Sequence, residues 1–289
     1  MRIPGKGRID RDRPVGFTFD GQRHIGHAGD TLASALLADG VPVMARSFKY
    51  HRPRGVMTAG SEEPIALVTL GRGAAQSPNC RATTVELREG LTALSQNRWP
   101  SLGFDVLAVN DLMAPFFGAG FYYKTFMWPK AFWEKLYEPA IRRAAGLGAL
   151  SGEAAEDRYE RAFAHCDLLV IGGGPAGLMA AIAAAEAGAD VILAEEDVAP
   201  GGRLLAETEE VDGRDGAGWA AEMAARLRAM PNARVMTRTA VTGAYDGGTY
   251  GALERLAPGI EGRTDAPAGC FWRIAARRAV LATGALERP

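Results

Sequence analysis

Cysteine is scarce in this chain. Its three cysteines, Cys80, Cys166 and Cys270, lie far apart along 289 residues, which excludes a disulfide framework and a zinc site and points to a reducing compartment. Long apolar runs are missing as well: no stretch approaches the ~18–20 uninterrupted apolar residues that a bilayer span needs. Charge of one sign is absent too. A net charge of −1 and a pI near 6.5 give no case for nucleic acid as a partner. The amino-terminal MRIPGKGRIDRDRPVG has no apolar core for a secretory signal, and its aspartates and glycines argue against a transit helix. A cytoplasmic location is the expectation. His24 and His27 fall three apart in an extended run, on opposite faces, so no metal site is expected there. No Ser-His-Asp, Cys-His or HExxH arrangement stands out, and His165 and Cys166 read as packing or surface residues.

What is present divides into three parts. Residues 1–95 read as a small α+β unit. Extended runs at 15–20 and 22–27 flank the Asp20-Gly21 turn, a hairpin signal. Asp30 or Thr31 then caps a helix over 32–39, with Gly40 as its stop. Two β-like runs follow at 65–70 and 83–87. Hairpin, helix and later strands is the order of a β-grasp fold. Residues 96–165 form a connector in which Phe116, Phe117, Phe121, Tyr122, Tyr123, Phe126, Trp128, Phe132, Trp133 and Tyr137 crowd together. So apolar a segment is either an interface or a layer laid over its own domains. Residues 166–289 are α/β: buried strands at 167–171, 191–194 and 279–282 alternate with helical stretches at 178–187 and 219–230, and an extended run covers 234–241.

The chemistry sits in DLLVIGGGPAGLMAAIAAAEAGADVILAEE. Gly172-x-Gly174-x-x-Gly177 opens a helix directly after a strand. Gly172 permits the tight turn, Gly174 admits a pyrophosphate, and Gly177 lets the helix pack on the strand; Pro175 and Ala176 lie between. The acid expected ~20 residues later to bind a ribose is Glu195, with Glu196 beside it. Glu195 would repel a 2′-phosphate, which favours NAD, or FAD as the alternative, over NADP. Gly202 and Arg203 in PGGR and the Thr283-Gly284 pair in AVLATGALERP are expected to approach the same dinucleotide.

TLASALLADG, RSFKYHRPRG, SQNRWPSLGFDVLAVNDLMAPFFGAGFYYKTFMWPKAFWEKLYEP, IGGGPAGLMAA and VLATGALERP together resemble the amino-terminal part of the α subunits of heterotetrameric sarcosine oxidases. The resemblance implies a ferredoxin-like β-grasp domain, then a Rossmann-type, disulfide-reductase-like domain holding NAD. It also implies β, γ and δ subunits, with FAD and FMN mainly on the β subunit, and a carboxy-terminal domain serving tetrahydrofolate. The assembled enzyme would convert sarcosine to glycine and peroxide, with catalytic residues that are unknown in this chain. Family α subunits are much longer, so the chain is expected to be a fragment whose dinucleotide sheet is incomplete and leaves apolar surface exposed. A related amine or opine dehydrogenase, or a non-catalytic NAD-containing assembly module, are the alternatives. In plant-type ferredoxins the loop at the place that follows Arg52-Pro53-Arg54-Gly55 here carries C-x4-C-x2-C. That spacing puts Thr58, Glu63 and Ala66 at the ligand positions, with Cys80 downstream, so no iron–sulfur cluster is expected. The remaining cations Arg46, Lys49, Arg52 and Arg54 read as an anion-docking surface or a solvated basic loop.

Overall fold

The computed structural model describes residues 2–3, 7, 9–116, 128–144, 148–154, 157–208, 210–255 and 267–285. The chain divides into two units, residues 1–156 and 157–289. No helix among the described residues is long and apolar enough to cross a membrane.

The first unit is a β-grasp. β1 (Asp10–Phe19) and β2 (Gln22–Ala28) form the expected hairpin. The positive φ angles of Asp20 (49°) and Gly21 (83°) suit the right-handed twist of its strands. α1 (Leu32–Ala38) is capped by Thr31, whose side chain accepts from the Ser34 N–H while the Ser34 hydroxyl accepts from the Thr31 N–H. Asp30 lies one residue before the cap and is buried. It accepts from the His27 N–H at 2.9 Å, the Ser34 hydroxyl at 2.6 Å and the Arg2 guanidinium. Two short strands, β3 (Ala45–Arg46) and β4 (Pro53–Arg54), pair across the basic loop. β5 (Leu67–Leu70), β6 (Ser77–Arg81) and β7 (Leu91–Ser95) complete a sheet of order β2-β1-β7-β5-β6 in which β7 runs parallel to β1. Phe17, Phe19, Leu32, Leu36, Met44, Val68 and Leu91 fill the core.

The run 83–87 is not the expected strand. The Leu32 N–H donates to the Val85 carbonyl at 2.8 Å, and the Ala33 N–H to that of Ala82 at 2.9 Å. The segment thus satisfies donors that the first turn of a helix leaves without intrahelical partners. Its apolar alternation packs against a helix end, with Leu87 in the core. The described part of the connector is a series of short turns leading to α2 (Glu138–Ala144). Trp128, Phe132 and Trp133 are exposed, and the Tyr137 hydroxyl donates to the Trp128 carbonyl. Phe117, Phe121, Tyr122, Tyr123, Phe126 and the side chain of Phe116 lie outside the described residues.

The second unit is a Rossmann-type layer. β8 (Tyr159–Ile171), α3 (Pro175–Glu186) and β9 (Val191–Ala194) make the first βαβ unit. A small hairpin, β10 (Glu210–Val211) with β11 (Arg214–Asp215), leads into α4 (Gly216–Arg228), where Asp215 caps the Ala217 and Gly218 N–H groups. β12 (Ala233–Met236) joins in parallel beside β9. The run 234–241 was expected to be continuous, but it breaks at Arg238 (φ 54°). Beyond the break, β13 (Thr239–Tyr245), β14 (Thr249–Arg255) and β15 (Gly269–Leu281) form an antiparallel meander. β15 returns in parallel beside β8, giving the order β12-β9-β8-β15-β14-β13. Alternate residues bury opposite faces: Val170, Val191 and Leu193 pack with α3 and α4, while Leu169, Ile192 and Ala194 pack with Met236, Ala252 and Ile274. Tyr159, Phe163 and Leu281 are exposed near the outer ends of the long strands.

Leu36 is fully buried, and its replacement by alanine leaves a cavity. Leu36→Ala is expected to cost about 2–5 kcal/mol of stability, read as a lower midpoint in chemical denaturation followed by amide exchange in the β-grasp sheet.

Candidate dinucleotide site

β8 delivers the chain to Gly172, whose N–H bonds to the Ala194 carbonyl on β9 at 2.8 Å. Its φ of 102° is a glycine conformation. A Cβ there would also lie 2.4 Å from the Ala282 carbonyl oxygen at the end of β15. Gly177, one turn into α3, is tighter still, because a Cβ would lie 1.9 Å from the Gly172 carbonyl oxygen. The two outer glycines of the fingerprint therefore serve close packing of loop, helix and β15. Gly174 differs. It is the α3 N-cap, gives the helix no side-chain cap, and has open space where a Cβ would go. Pro175, which has no N–H to leave unpaired, fills the first helical position, with Ala176 exposed after it. An uncapped, open helix terminus of this kind suits an anion.

Glu195 follows β9 and is buried. Its Oε2 accepts from the Gly173 N–H at 2.6 Å and its Oε1 from the Asp197 N–H at 2.8 Å. Burial pushes the Glu195 carboxyl above its ordinary value; the two backbone donors oppose that shift, and the neighbouring Asp197 and Glu196 charges add to it. Gly202 (φ 52°) lies close over the fingerprint, since a Cβ there would be 3.2 Å from Gly174 Cα. The Gly201 N–H donates to the Gly173 carbonyl at 2.8 Å and fixes that approach. β15 carries Thr283 and Gly284 to the same end of the sheet: the Ala282 N–H bonds to the Ile171 carbonyl, and Thr283 Cα would lie 3.2 Å from a Cβ on Gly172.

Gly172, Gly174, Gly177, Glu195, Gly202 and Thr283 are thus gathered around one strand end. Two others are not part of this cluster. Arg203 is exposed and its Nε pairs with Glu207 at 2.7 Å. Glu196 is exposed, and its carbonyl, rather than its side chain, accepts from Arg255. Gly173 is the residue that sequence reasoning passed over. It occupies the unspecified position of the fingerprint, yet a Cβ on it would lie 2.8 Å from Glu195 Oε2. A third consecutive glycine was the signal available. Cys166, one strand-length away, is buried with its thiol pushed up to about 11, chiefly by burial, so it is a packing residue.

The basic loop of the first unit is occupied with its own chain. Arg46 donates to the Leu102 carbonyl (Nε 3.1 Å, Nη2 2.6 Å) and to the His51 carbonyl at 3.0 Å. Arg52 pairs with Asp111 at 2.7 Å, and both it and Lys49 lie over the Tyr50 ring. Arg54 is half-buried on β4. His51 is fully buried, with Nδ1 2.7 Å from Asp105 Oδ2, while Asp105 Oδ1 accepts from the Trp99 and Leu107 N–H groups. The loop latches residues 97–111 onto the β-grasp unit.

The family described as a 2Fe-2S iron-sulfur cluster binding domain matches residues 12–98, and the family described as FAD dependent oxidoreductase matches residues 167–248. Over its whole length the chain is 58% identical to "Sarcosine oxidase subunit alpha" of Rhizobium meliloti (strain 1021). The chain is a homologue of sarcosine oxidase α subunits. It covers 29% of the length of that relative. It is also 33% identical, again over all of the chain, to the "Sarcosine oxidase subunit alpha" of Corynebacterium sp. (strain P-1), covering 26% of it. Among solved structures, L-proline dehydrogenase from P. horikoshii superposes with a TM-score of 0.55 over 98% of this chain and 42% of its own, at 20% identity, a likeness of fold. The two family matches and the sheet topology thus agree on a ferredoxin-like unit followed by a Rossmann-type oxidoreductase unit in this chain.

The glycine geometry separates packing from ligand approach. Gly177→Ala must displace backbone and is expected to lose about 1–3 kcal/mol of stability. Gly174→Ala faces open space at a φ of −66° and should remain within about 0.5 kcal/mol of the parent. Thermal denaturation of the two variants side by side checks the contrast.

Proposed function

We propose that this chain is the NAD-binding amino-terminal region of a heterotetrameric sarcosine oxidase α subunit. The observation that carries the dinucleotide reading is the buried Glu195 carboxylate, bonded to Gly173 inside the fingerprint loop and adjoining the open, uncapped terminus of α3 at Gly174. A bound dinucleotide would place its pyrophosphate at the Gly174–Gly177 helix terminus, where the N–H groups and helix dipole favour negative charge. Glu195 would accept hydrogen bonds from ribose hydroxyls. Its carboxylate is disfavoured as an ion by burial, and hydroxyl donors would relieve that cost. The same charge would reject a 2′-phosphate. Gly202 and the Thr283-Gly284 pair, with no side-chain bulk at the glycines, would let backbone close over the ligand, with Pro175, Ala176, Arg203 and Glu196 at its margin. When bound, NAD supplies a hydride-accepting nicotinamide; FAD is the alternative occupant, favoured by the family description of residues 167–248.

In this reading residues 1–95 form the ferredoxin-like unit, 96–165 the connector and 166–289 the dinucleotide unit. The whole enzyme would oxidise sarcosine with O2, giving glycine and H2O2, and with tetrahydrofolate would give 5,10-methylenetetrahydrofolate. FAD and FMN would be held mainly by the β subunit, with γ and δ as further partners in the cytoplasm. The sarcosine-oxidising groups would lie on another subunit, so the 289 residues alone should bind dinucleotide without oxidising sarcosine.

Titration calorimetry tests this. NADH is expected to bind more tightly than NADPH, and Glu195→Gln should weaken NADH about 10- to 100-fold, the loss of hydrogen bonds to a charged group. Because ribose donors favour the ionised carboxylate, affinity should fall as pH drops through the raised Glu195 pKa, and E195Q should lose that dependence. FAD binding in place of NADH would overturn the cofactor assignment.

A further inference from the structure

The family matched by residues 12–98 is described as binding a [2Fe–2S] cluster, which is held by cysteine thiolates. The donors here do not fit that centre. The ligand spacing falls on Thr58, Glu63 and Ala66, and Cys80 is the single thiol of the unit. No group of three His, Cys, Asp or Glu side chains among the described residues could hold a metal.

The loop nevertheless keeps the backbone of an anion site. Four N–H groups converge on the Glu63 side chain: Met57 and Thr58 donate to Oε2 at 2.6 and 2.9 Å, and Ile65 and Ala66 donate to Oε1 at 2.8 and 3.0 Å. The two outer ligand positions, Thr58 and Ala66, therefore point their N–H groups at the carboxylate of the middle one. Glu63 is fully buried. The charged side chain recorded against it from a neighbouring element is Arg81 of β6, whose Nε donates to the Glu63 main-chain carbonyl at 3.1 Å. Thr83 closes the loop by donating to the Gly60 carbonyl at 2.6 Å. A buried carboxylate without a cationic partner on its oxygens needs such donors to remain charged. Burial pushes the Glu63 carboxyl up, but the four N–H bonds outweigh it and hold the group below its ordinary value.

We propose that Glu63 is a built-in anion that replaces a cluster as the organising centre of the loop, so that the loop is an anion-binding nest filled by its own side chain. Emptying the nest should create a site for a small carboxylate such as formate. A neutral amide fills the space but presents an NH2 group to at least one N–H donor.

The test uses the full chain carrying Glu63→Gln or Glu63→Ala. Both variants are expected to speed amide exchange at Met57, Thr58, Ile65 and Ala66, and to lower Tm by about 4–8 °C. Formate, titrated against chloride at matched ionic strength, should raise the Tm of E63A toward the parent and leave E63Q unchanged. Parent-like Tm and exchange in E63Q would overturn the need for charge. Destabilised E63A with no response to formate would overturn the nest. Should neither variant fold, the parent decides: its Glu63 carboxyl carbon should titrate below the ordinary carboxylate range with all four amide protons shifting in step, and independent behaviour of those amides would refute the proposal.

Discussion

A carboxylate withdrawn from water stays charged only when donors are brought to it, and each unit of this chain holds such a group in a loop that its fold depends on. In the β-grasp unit Glu63 draws in four backbone N–H groups from a loop that otherwise has little secondary structure. In the Rossmann-type unit Glu195 takes two, one from the fingerprint and one from the segment after β9. The balance differs in sign. With four donors the ion prevails over burial at Glu63; with two, burial prevails at Glu195. The first is a satisfied structural centre. The second retains acceptor capacity, which the ribose contact proposed above would use.

Around Glu195 the missing side chains matter as much as those present. Gly172 and Gly177 are barred from carrying a Cβ by backbone oxygens under 3 Å away, while a Cβ on Gly173 would press on the Glu195 carboxylate at 2.8 Å and displace it. Gly174 is free of any such contact. One motif therefore contains two kinds of glycine, and the open position is the one at the helix terminus. The parallel return of β15 beside β8 supplies the wall, since Ala282 is the residue against which Gly172 and Gly177 are set.

Much of this was legible because it is local. The Asp20-Gly21 turn, the Thr31 cap and the fingerprint each depend on residues a few positions apart, and Glu195 on the fixed length of a single βαβ unit. The misreadings come from partners the pattern does not name. Residues 83–87 alternate as a strand does, but they meet the end of α1. β8 runs from Tyr159, but its first half is largely exposed and only its second half reads as an apolar run, so the sequence pattern starts the strand at 167. Spacing put Glu63 where a ligand would stand, yet nothing in spacing says that four amides turn toward it. The cations of the basic loop read either as a docking surface or as a solvated loop; Arg46, Lys49 and Arg52 are engaged with carbonyls, Asp111 and the Tyr50 ring of the same unit.

The dependence of α1 on residues 82–87 bears on how the β-grasp unit comes into being. A helix of seven residues is too short to persist alone in water, and two donors of its first turn wait for carbonyls some fifty residues downstream. The parallel pairing of β1 with β7 spans a longer stretch of chain still, from Phe17 to Leu91. Closing such a loop carries an entropic cost before any contact repays it. During synthesis the hairpin can form early, while the helix, the central strand and the core become stable together, once Leu91–Ser95 has left the ribosome.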